Sequence, residues 1–274
     1  MYTKPNVVNL HFIDRCNYSC RYCFVKKENK CLSLEQIKNI VDNIKKYFDE
    51  NKLDGRINLV GGEIFLFDKL QEVIDYIYNK NIRVSIVTNG SLLTKEFICN
   101  NKGKLETIGI SVDSLNRDTN LKIRRCCKGK VLSQESLISL CDCIKDNNIK
   151  LKINTCVSKF NLNEDLTKFI LRVNPDRYKI FQMMIVKGVN DSAKSFKISR
   201  EEFEKYCKKE SFLNPICENN DEMSNSYLMV DSRGLLCVDN NKNSATIGDV
   251  LIEDFNDLIL KTNLNIEKFN KRYK

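Results

Sequence analysis

The chain has 274 residues, 42% hydrophobic and 30% charged, which is enough to bury one large core or two small ones. No apolar run approaches the length of a membrane span, and no charged-then-apolar leader marks the chain for export. The net charge of +9 suits an anionic ligand, but lysines are spread along the whole sequence and a solvated basic surface accounts for it equally well. Thirteen cysteines, an odd number that includes the adjacent pair Cys126 and Cys127, do not read as a disulfide framework. A reducing cytoplasm is therefore expected.

Strand-like runs alternate with helical ones. The first strand is predicted over Val7–Ile13, and its early start leaves no room for a membrane-lying N-terminal helix. A helix follows from Ser33. Ser33 with Gln36 forms a capping box, and Ile37, Ile40, Val41, Ile44 and Phe48 recur on one face. Strands are then predicted at Arg56–Val60, Arg83–Thr88, Thr107–Val112, Leu151–Val157 and Tyr178–Met183. Helices fit Lys69–Tyr78, Ser133–Lys145, Glu164–Leu171 and, behind a second capping box of Ser199 and Glu202, Arg200–Lys208. Strand and helix in alternation argue for a parallel sheet, either open or an incomplete barrel. After Glu210 the rhythm changes to a hairpin turning at Ser232–Gly234 and a short helix, so two regions are expected: a main domain over 1–199 and an extension over 200–274 covering the active site.

The stretch RCNYSCRYCF sets Cys16, Cys20 and Cys23 at C-x3-C-x2-C directly after the first strand. Three thiolates are compatible with zinc if a fourth ligand comes from elsewhere. They are equally compatible with three irons of a 4Fe–4S cube whose fourth iron stays open. Cys31 is the next cysteine along, but no C-x2-C partner follows.

This spacing, with the aromatic Phe24 behind it, resembles the signature of the radical S-adenosylmethionine enzymes. Gly61, Gly62 and Glu63 resemble the family's GGE, which meets the cofactor's ammonium group. Thr88 and Asn89 stand where the family contacts the ribose, and Ser111 and Asp113 fall near the cofactor. The resemblance implies an α/β fold, a partial (βα)6 TIM-like barrel of the radical SAM type with a C-terminal extension. It also implies a 4Fe–4S cluster and S-adenosyl-L-methionine as cofactors.

NLHFIDRCNYSCRYCF, INLVGGE, SIVTNGSLL, NPDRYKIFQ and SYLMVD are similar to the viperin family over about Val7 to Arg272. Viperins act in antiviral defence by converting a ribonucleoside triphosphate, CTP in animals, to its 3′-deoxy-3′,4′-didehydro analogue. In that reaction a 5′-deoxyadenosyl radical removes the 4′ hydrogen and the 3′ hydroxyl leaves as water. Departures from the family pattern are Val60 for a serine before GGE and Ile64 for a proline after it, which leaves the base open among CTP, UTP and GTP.

Four strands repeat one pattern, since residues i and i+2 share a face. Asn9 pairs with His11, Arg56 with Asn58, Lys152 with Asn154, and Arg177 with Lys179, each opposite apolar residues. A parallel sheet buries both faces, so water does not account for a repeated polar face, and buried cations require partners. A triphosphate supplies them. The resemblance assigns phosphate binding to Arg56, Lys152, Arg177, Lys179 and Arg272, and gives Arg125 the cofactor carboxylate or a phosphate, with Arg124 as the alternative register. His11, the only histidine, is a candidate for ordering the ribose or for proton work, and Tyr227 for a late hydrogen or proton donation. Further expectations are a flavodoxin or ferredoxin as electron donor, a monomer, and no membrane partner. The competing functions are modification of tRNA or a peptide, and a zinc-stabilised binding module without catalysis.

Overall fold

The computed structural model describes residues 4–239 and 244–273. Along the chain the strands are β1 (Val7–Ile13), β2 (Arg56–Gly61), β3 (Arg83–Thr88), β4 (Leu105–Ser111), β5 (Lys150–Val157), β6 (Arg177–Gln182), β7 (Ile216–Glu218), β8 (Leu228–Val230), β9 (Leu235–Asp239) and β10 (Ser244–Asp249). The helices are α1 (Leu34–Glu50), α2 (Leu70–Asn79), α3 (Lys95–Asn100), α4 (Arg117–Lys122), α5 (Gln134–Asp146), α6 (Thr167–Val173), α7 (Arg200–Lys209), α8 (Asn220–Met223), α9 (Phe255–Leu260) and α10 (Ile266–Tyr273). Two compact units result: residues 1–16, 27–86 and 222–274 form one, and residues 17–26 and 87–221 form the other.

In the first unit the strand order is β10-β9-β8-β1-β2-β3. β8, β1, β2 and β3 run parallel, β9 runs back antiparallel to β8, and β10 is in turn antiparallel to β9. α1 begins where the sequence says it should. The Ser33 side chain accepts from the Gln36 backbone N–H, and the Gln36 side chain accepts from the Ser33 backbone N–H. Its stripe of Ile37, Ile40, Val41, Ile44 and Phe48 is wholly buried, each side chain worth roughly 1.5–3 kcal/mol in removed apolar surface. Asn43 then ties α1 to the segment before α9 by donating to the carbonyls of Val250 (2.9 Å) and Glu253 (2.8 Å).

In the second unit β4, β5, β6 and β7 lie side by side, all parallel. Its apolar faces carry Ile108, Ile110, Leu151, Ile153 and Ile180, none exposed to water. α5 covers them with Leu137, Leu140 and Ile144, and α6 with Phe169, Ile170 and Val173. The second predicted capping box, Ser199 with Glu202, opens α7.

Candidate active site

The first strand feeds the cysteine loop through a tightly fitted crossing. Gly61 and Gly62 pack against the end of β1: the Gly62 N–H donates to the Ile13 carbonyl (2.7 Å) and the Glu63 N–H to the Arg15 carbonyl (2.8 Å). A Cβ on Gly62 would lie 2.1 Å from the Arg15 oxygen, and one on Gly61 2.2 Å from the Ile13 oxygen. Gly61 also sits at φ +150°, a region that side chains scarcely allow. The two glycines thus let two backbones close just ahead of Cys16. Glu63 is fully buried, and its carboxylate accepts from the Phe65 N–H. Behind the loop, buried Asp14 accepts from the N–H groups of Glu28 and Lys30 and fixes the return of the chain.

In the second unit the remainder of the loop is held by a polar hub. Asp113 is buried at 3% exposure, and three groups converge on it. The Tyr22 hydroxyl donates to Oδ2 (2.5 Å), the Cys156 N–H to Oδ1 (2.8 Å), and Arg125 forms an ion pair with it (3.0 Å). Burial first, and then the Asp113 charge, push the Tyr22 phenol well above its ordinary range, so it remains a donor. Arg125 also donates to the Ser111 carbonyl (2.6 Å), stands 5.9 Å from the Tyr18 ring, and comes within 3.9 Å of the Cys20 sulfur. Arg124 is exposed at φ 57°, so the inward-facing arginine of the pair is Arg125.

The same hub borders a small, open cleft. Asn89, Ser111 and Arg125 line it together with Tyr18 and Asn120, and Leu132 and Leu137 supply an apolar wall. Asn89 donates to the Asn17 side chain (2.9 Å), which itself donates to Ser91 Oγ (2.9 Å), so the Thr88–Ser91 turn braces the cysteine loop. Thr88 Oγ1 accepts from the Gly90 N–H (3.0 Å), and Phe24 projects outward, about half exposed.

On the polar strand faces Asn9, Asn58 and Lys179 are buried, while His11, Arg56, Lys152, Asn154 and Arg177 are half-buried. In the first unit Asn58 donates to Asn9 Oδ1 (2.8 Å), and Asn9 donates to the Leu228 carbonyl and to the Tyr273 hydroxyl (both 3.1 Å). Arg56 lies over the Tyr273 ring (5.5 Å). Arg272, 3% exposed, donates to the Glu222 carbonyl and to Ser226 Oγ, with its guanidinium stacked 3.3 Å from the centre of the Tyr227 ring. His11 shares this unit. Burial brings its imidazole down to about 4, against a weaker opposite pull from Asp231, so it is neutral at pH 7.

In the second unit the strand register sets Lys152 beside Arg177 and Asn154 beside Lys179. Lys179 also has a partner within the protein. Lys179 is 2% exposed and ion-paired with Glu218 on β7, with its ammonium 5.2 Å from the Phe181 ring. Glu218 escaped the sequence reading because β7 has only three residues, too few for any period. Tyr22, Asn17 and Cys156 were missed for another reason: their partners lie far off in sequence. Tyr22 at least had a visible signal, an aromatic set between two motif cysteines.

The donors fit an iron–sulfur cluster. Cys16, Cys20 and Cys23 are half-buried thiols at the spacing a cluster loop uses, and the Arg125 guanidinium lies 3.9 Å from the Cys20 sulfur. Among the described residues no three Cys, His, Asp or Glu side chains converge on one point as a single metal ion requires. A cube spreads its cysteines over separate irons, so it needs no such convergence. Loop and sheet together define an enzyme of the radical S-adenosylmethionine class.

Comparison with known proteins agrees. The Radical SAM superfamily profile matches residues 10–173. The chain is 33% identical to an S-adenosylmethionine-dependent nucleotide dehydratase of Psychrobacter lutiphocae, over 99% of this chain and 95% of the relative. It is 32% identical to the dehydratase RSAD2 of Oncorhynchus mykiss, over 91% and 75% of the two chains. Among solved structures, SuiB of Streptococcus suis bound to S-adenosylmethionine superimposes with a TM-score of 0.67 at 16% identity, over 98% of this chain and 67% of that one. anSMEcpe with bound AdoMet gives a TM-score of 0.66 at 17% identity, over 98% and 83%. The chain belongs to the viperin family of S-adenosylmethionine-dependent nucleotide dehydratases. It is a radical SAM enzyme that modifies a nucleotide, its α/β fold is that of the superfamily's partial barrels, and its cofactors are S-adenosylmethionine and a 4Fe–4S cluster.

Proposed function

We propose that the chain converts a ribonucleoside triphosphate, CTP first and UTP or GTP as alternatives, to the 3′-deoxy-3′,4′-didehydro nucleotide. The observation that supports this reading is the cationic face of β5 and β6, where Lys152 and Arg177, both half-buried, are register partners and the buried Lys179 lies on the same face. A nucleotide dehydratase needs cations for its substrate's phosphates, and a packed barrel would otherwise fill such a face with branched apolar side chains.

Each group then has a task. Glu218 anchors Lys179 through their ion pair, and the triphosphate lies along Lys152, Arg177 and Lys179. Arg56 and Arg272 are further phosphate ligands, and Asn9, Asn58 and Asn154 hydrogen-bond the sugar. Neutral His11 offers one N–H and one lone pair, so it orients the ribose rather than carrying a proton. Tyr227, stiffened by the stacked Arg272, is the late hydrogen or proton donor.

Cys16, Cys20 and Cys23 would hold the cluster. Phe24, Gly61, Gly62, Glu63, Thr88, Asn89, Ser111, Asp113 and Arg125 would hold S-adenosylmethionine. When bound, the pair supplies a carbon-centred radical able to remove an unactivated hydrogen. The electron comes from a flavodoxin or ferredoxin, and the enzyme works as a cytoplasmic monomer. None of the described helices is long and apolar enough to cross a membrane. A chain-terminating product would serve defence against viruses of the host cell.

The test is anaerobic turnover with S-adenosylmethionine, reductant and each of CTP, UTP and GTP, followed by mass spectrometry. One nucleotide should raise 5′-deoxyadenosine well above background and yield a product lighter by one water. If all three leave 5′-deoxyadenosine at the level seen without nucleotide, the substrate assignment fails.

A further inference from the structure

Two thiols outside the cluster motif meet on the surface of the second unit. Cys99 lies on α3 and Cys143 on α5, helices that pack against each other. Cys99 is exposed and Cys143 is half-buried. One amide spans both. Asn147, at the C-terminal end of α5, places Nδ2 3.6 Å from the Cys99 sulfur and 3.7 Å from the Cys143 sulfur, while donating to the Cys143 carbonyl at 2.9 Å. The Cys143 thiol reaches toward the Lys95 carbonyl at the start of α3 (4.0 Å), the helix that carries Cys99. Neither side chain contributes to the Asp113 hub, to the cysteine loop or to the cationic strand faces.

We propose that Cys99 and Cys143 are a modification site: a dithiol that exchanges with a low-molecular-weight disulfide and closes into a bond strapping α3 to α5. The exposed Cys99 meets the reagent first. Its thiolate attacks one sulfur of the disulfide RSSR, forming Cys99–SR and releasing one thiolate, RS⁻. The Cys143 sulfur then attacks Cys99, expels the second RS⁻, and gives its proton to it. Two protein thiols are oxidised, one RSSR is reduced to two RSH, and no further oxidant is needed. Part burial, followed by the neighbouring Cys99, raises the Cys143 thiol, which fits the resolving role better than the attacking one. The bond would anchor the helix that begins just after the Thr88–Ser91 turn, because α3 starts at Lys95 behind the Thr94 cap.

The experiment uses the anaerobic, cluster-loaded protein and oxidised glutathione as probe. After exchange, free thiols are alkylated and the digest is read by mass spectrometry, with thermal unfolding measured in parallel. A peptide pair linked through Cys99 and Cys143 should dominate, with Tm raised by roughly 5 °C or more through the closed loop, and dithiothreitol should reverse both. Cys143→Ser should trap a single glutathione on Cys99, and Cys99→Ser should give neither link nor adduct at Cys143. Wild-type protein in which Cys99 and Cys143 are both alkylated, or carry separate glutathiones without a link, overturns the proposal.

Discussion

Lys179 and Glu218 form an ion pair on adjacent parallel strands, both side chains within a few per cent of complete burial. Such a pair gains little over an apolar one, but half of it is costly, because the remaining charge has neither water nor partner. Glu218→Gln should therefore lower stability by about 3–5 kcal/mol. Lys179→Met with Glu218→Leu should lose much less, although nucleotide binding disappears with the lysine. Urea unfolding of the four-membered cycle checks the coupling, and additive single and double effects would refute it.

Arg125 stands between Asp113 and the sulfur of Cys20, so it both supports the hub and faces a cysteine proposed to hold the cluster. Positive charge near a cluster stabilises its more negative, reduced form. Arg125→Gln paired with Asp113→Asn removes charge without leaving a buried carboxylate alone. That double variant should still load iron and sulfide, with its midpoint potential lowered by about 50 mV. A potentiometric titration followed by EPR reads the shift, and an unchanged potential would mean that Arg125 only braces the loop.

Gly62→Ala should be among the most damaging small substitutions, since its methyl would lie 2.1 Å from a main-chain oxygen that cannot move aside. A loss of about 3 kcal/mol or more is expected, together with poor cluster loading. Gly103→Ala is the control. Nothing lies within 4 Å of that site, and only its φ of +80° opposes a side chain, at about 1 kcal/mol. Comparing the two by thermal melts and iron content separates close packing from backbone strain.

Much of this was legible beforehand, for physical reasons that differ by element. α1 was readable because a capping box and a 3.6-residue stripe agree, and β1 because it alternates next to a motif that needs a strand end. The polar strand faces were readable because period two exposes them in four separate runs. α3, α4, α8 and α10 went unseen: α3 and α4 have six residues and α8 four, too few to show a helical period, and α10 was lost in a polar stretch near the chain end. The hub around Asp113 was invisible for another reason. Tyr22, Arg125 and Cys156 reach it from three places in the chain, and no local pattern encodes that meeting. β7 hid Glu218 in the same way, so the reading supplied the cations but not the internal counter-charge.

Glu210, fully buried at the end of α7, gives a pH signature. Burial first, then Asp165, raise its carboxyl, against weaker opposing effects of Lys209 and Thr167. A raised folded-state pKa means that the native state holds the proton more tightly than the unfolded chain. Its contribution is therefore complete below the ordinary carboxylate range and is lost as pH rises through the raised value. Glu210→Gln mimics the protonated form, so it should stabilise the protein at pH 8 and leave it nearly unchanged at pH 4. Equal effects at both pH values would place the charge in water.

His11 carries the opposite sign. Its folded pKa is lowered to about 4, below the ordinary imidazole value, by burial. Between those values the unfolded chain binds the proton and the native state refuses it, so stability is lost as pH falls through that window and is complete above it. Because it is the only histidine, one imidazole signal in a carbon–proton spectrum reports the group without assignment. That signal should stay at the neutral position from pH 8 to pH 6 and begin to move only under more acidic conditions. His11→Gln should remove the acid-side loss while leaving the fold at pH 8 intact. A midpoint near 6.5 would mean that water reaches the imidazole, and a charged His11 would then join the cations facing the nucleotide instead of ordering its sugar.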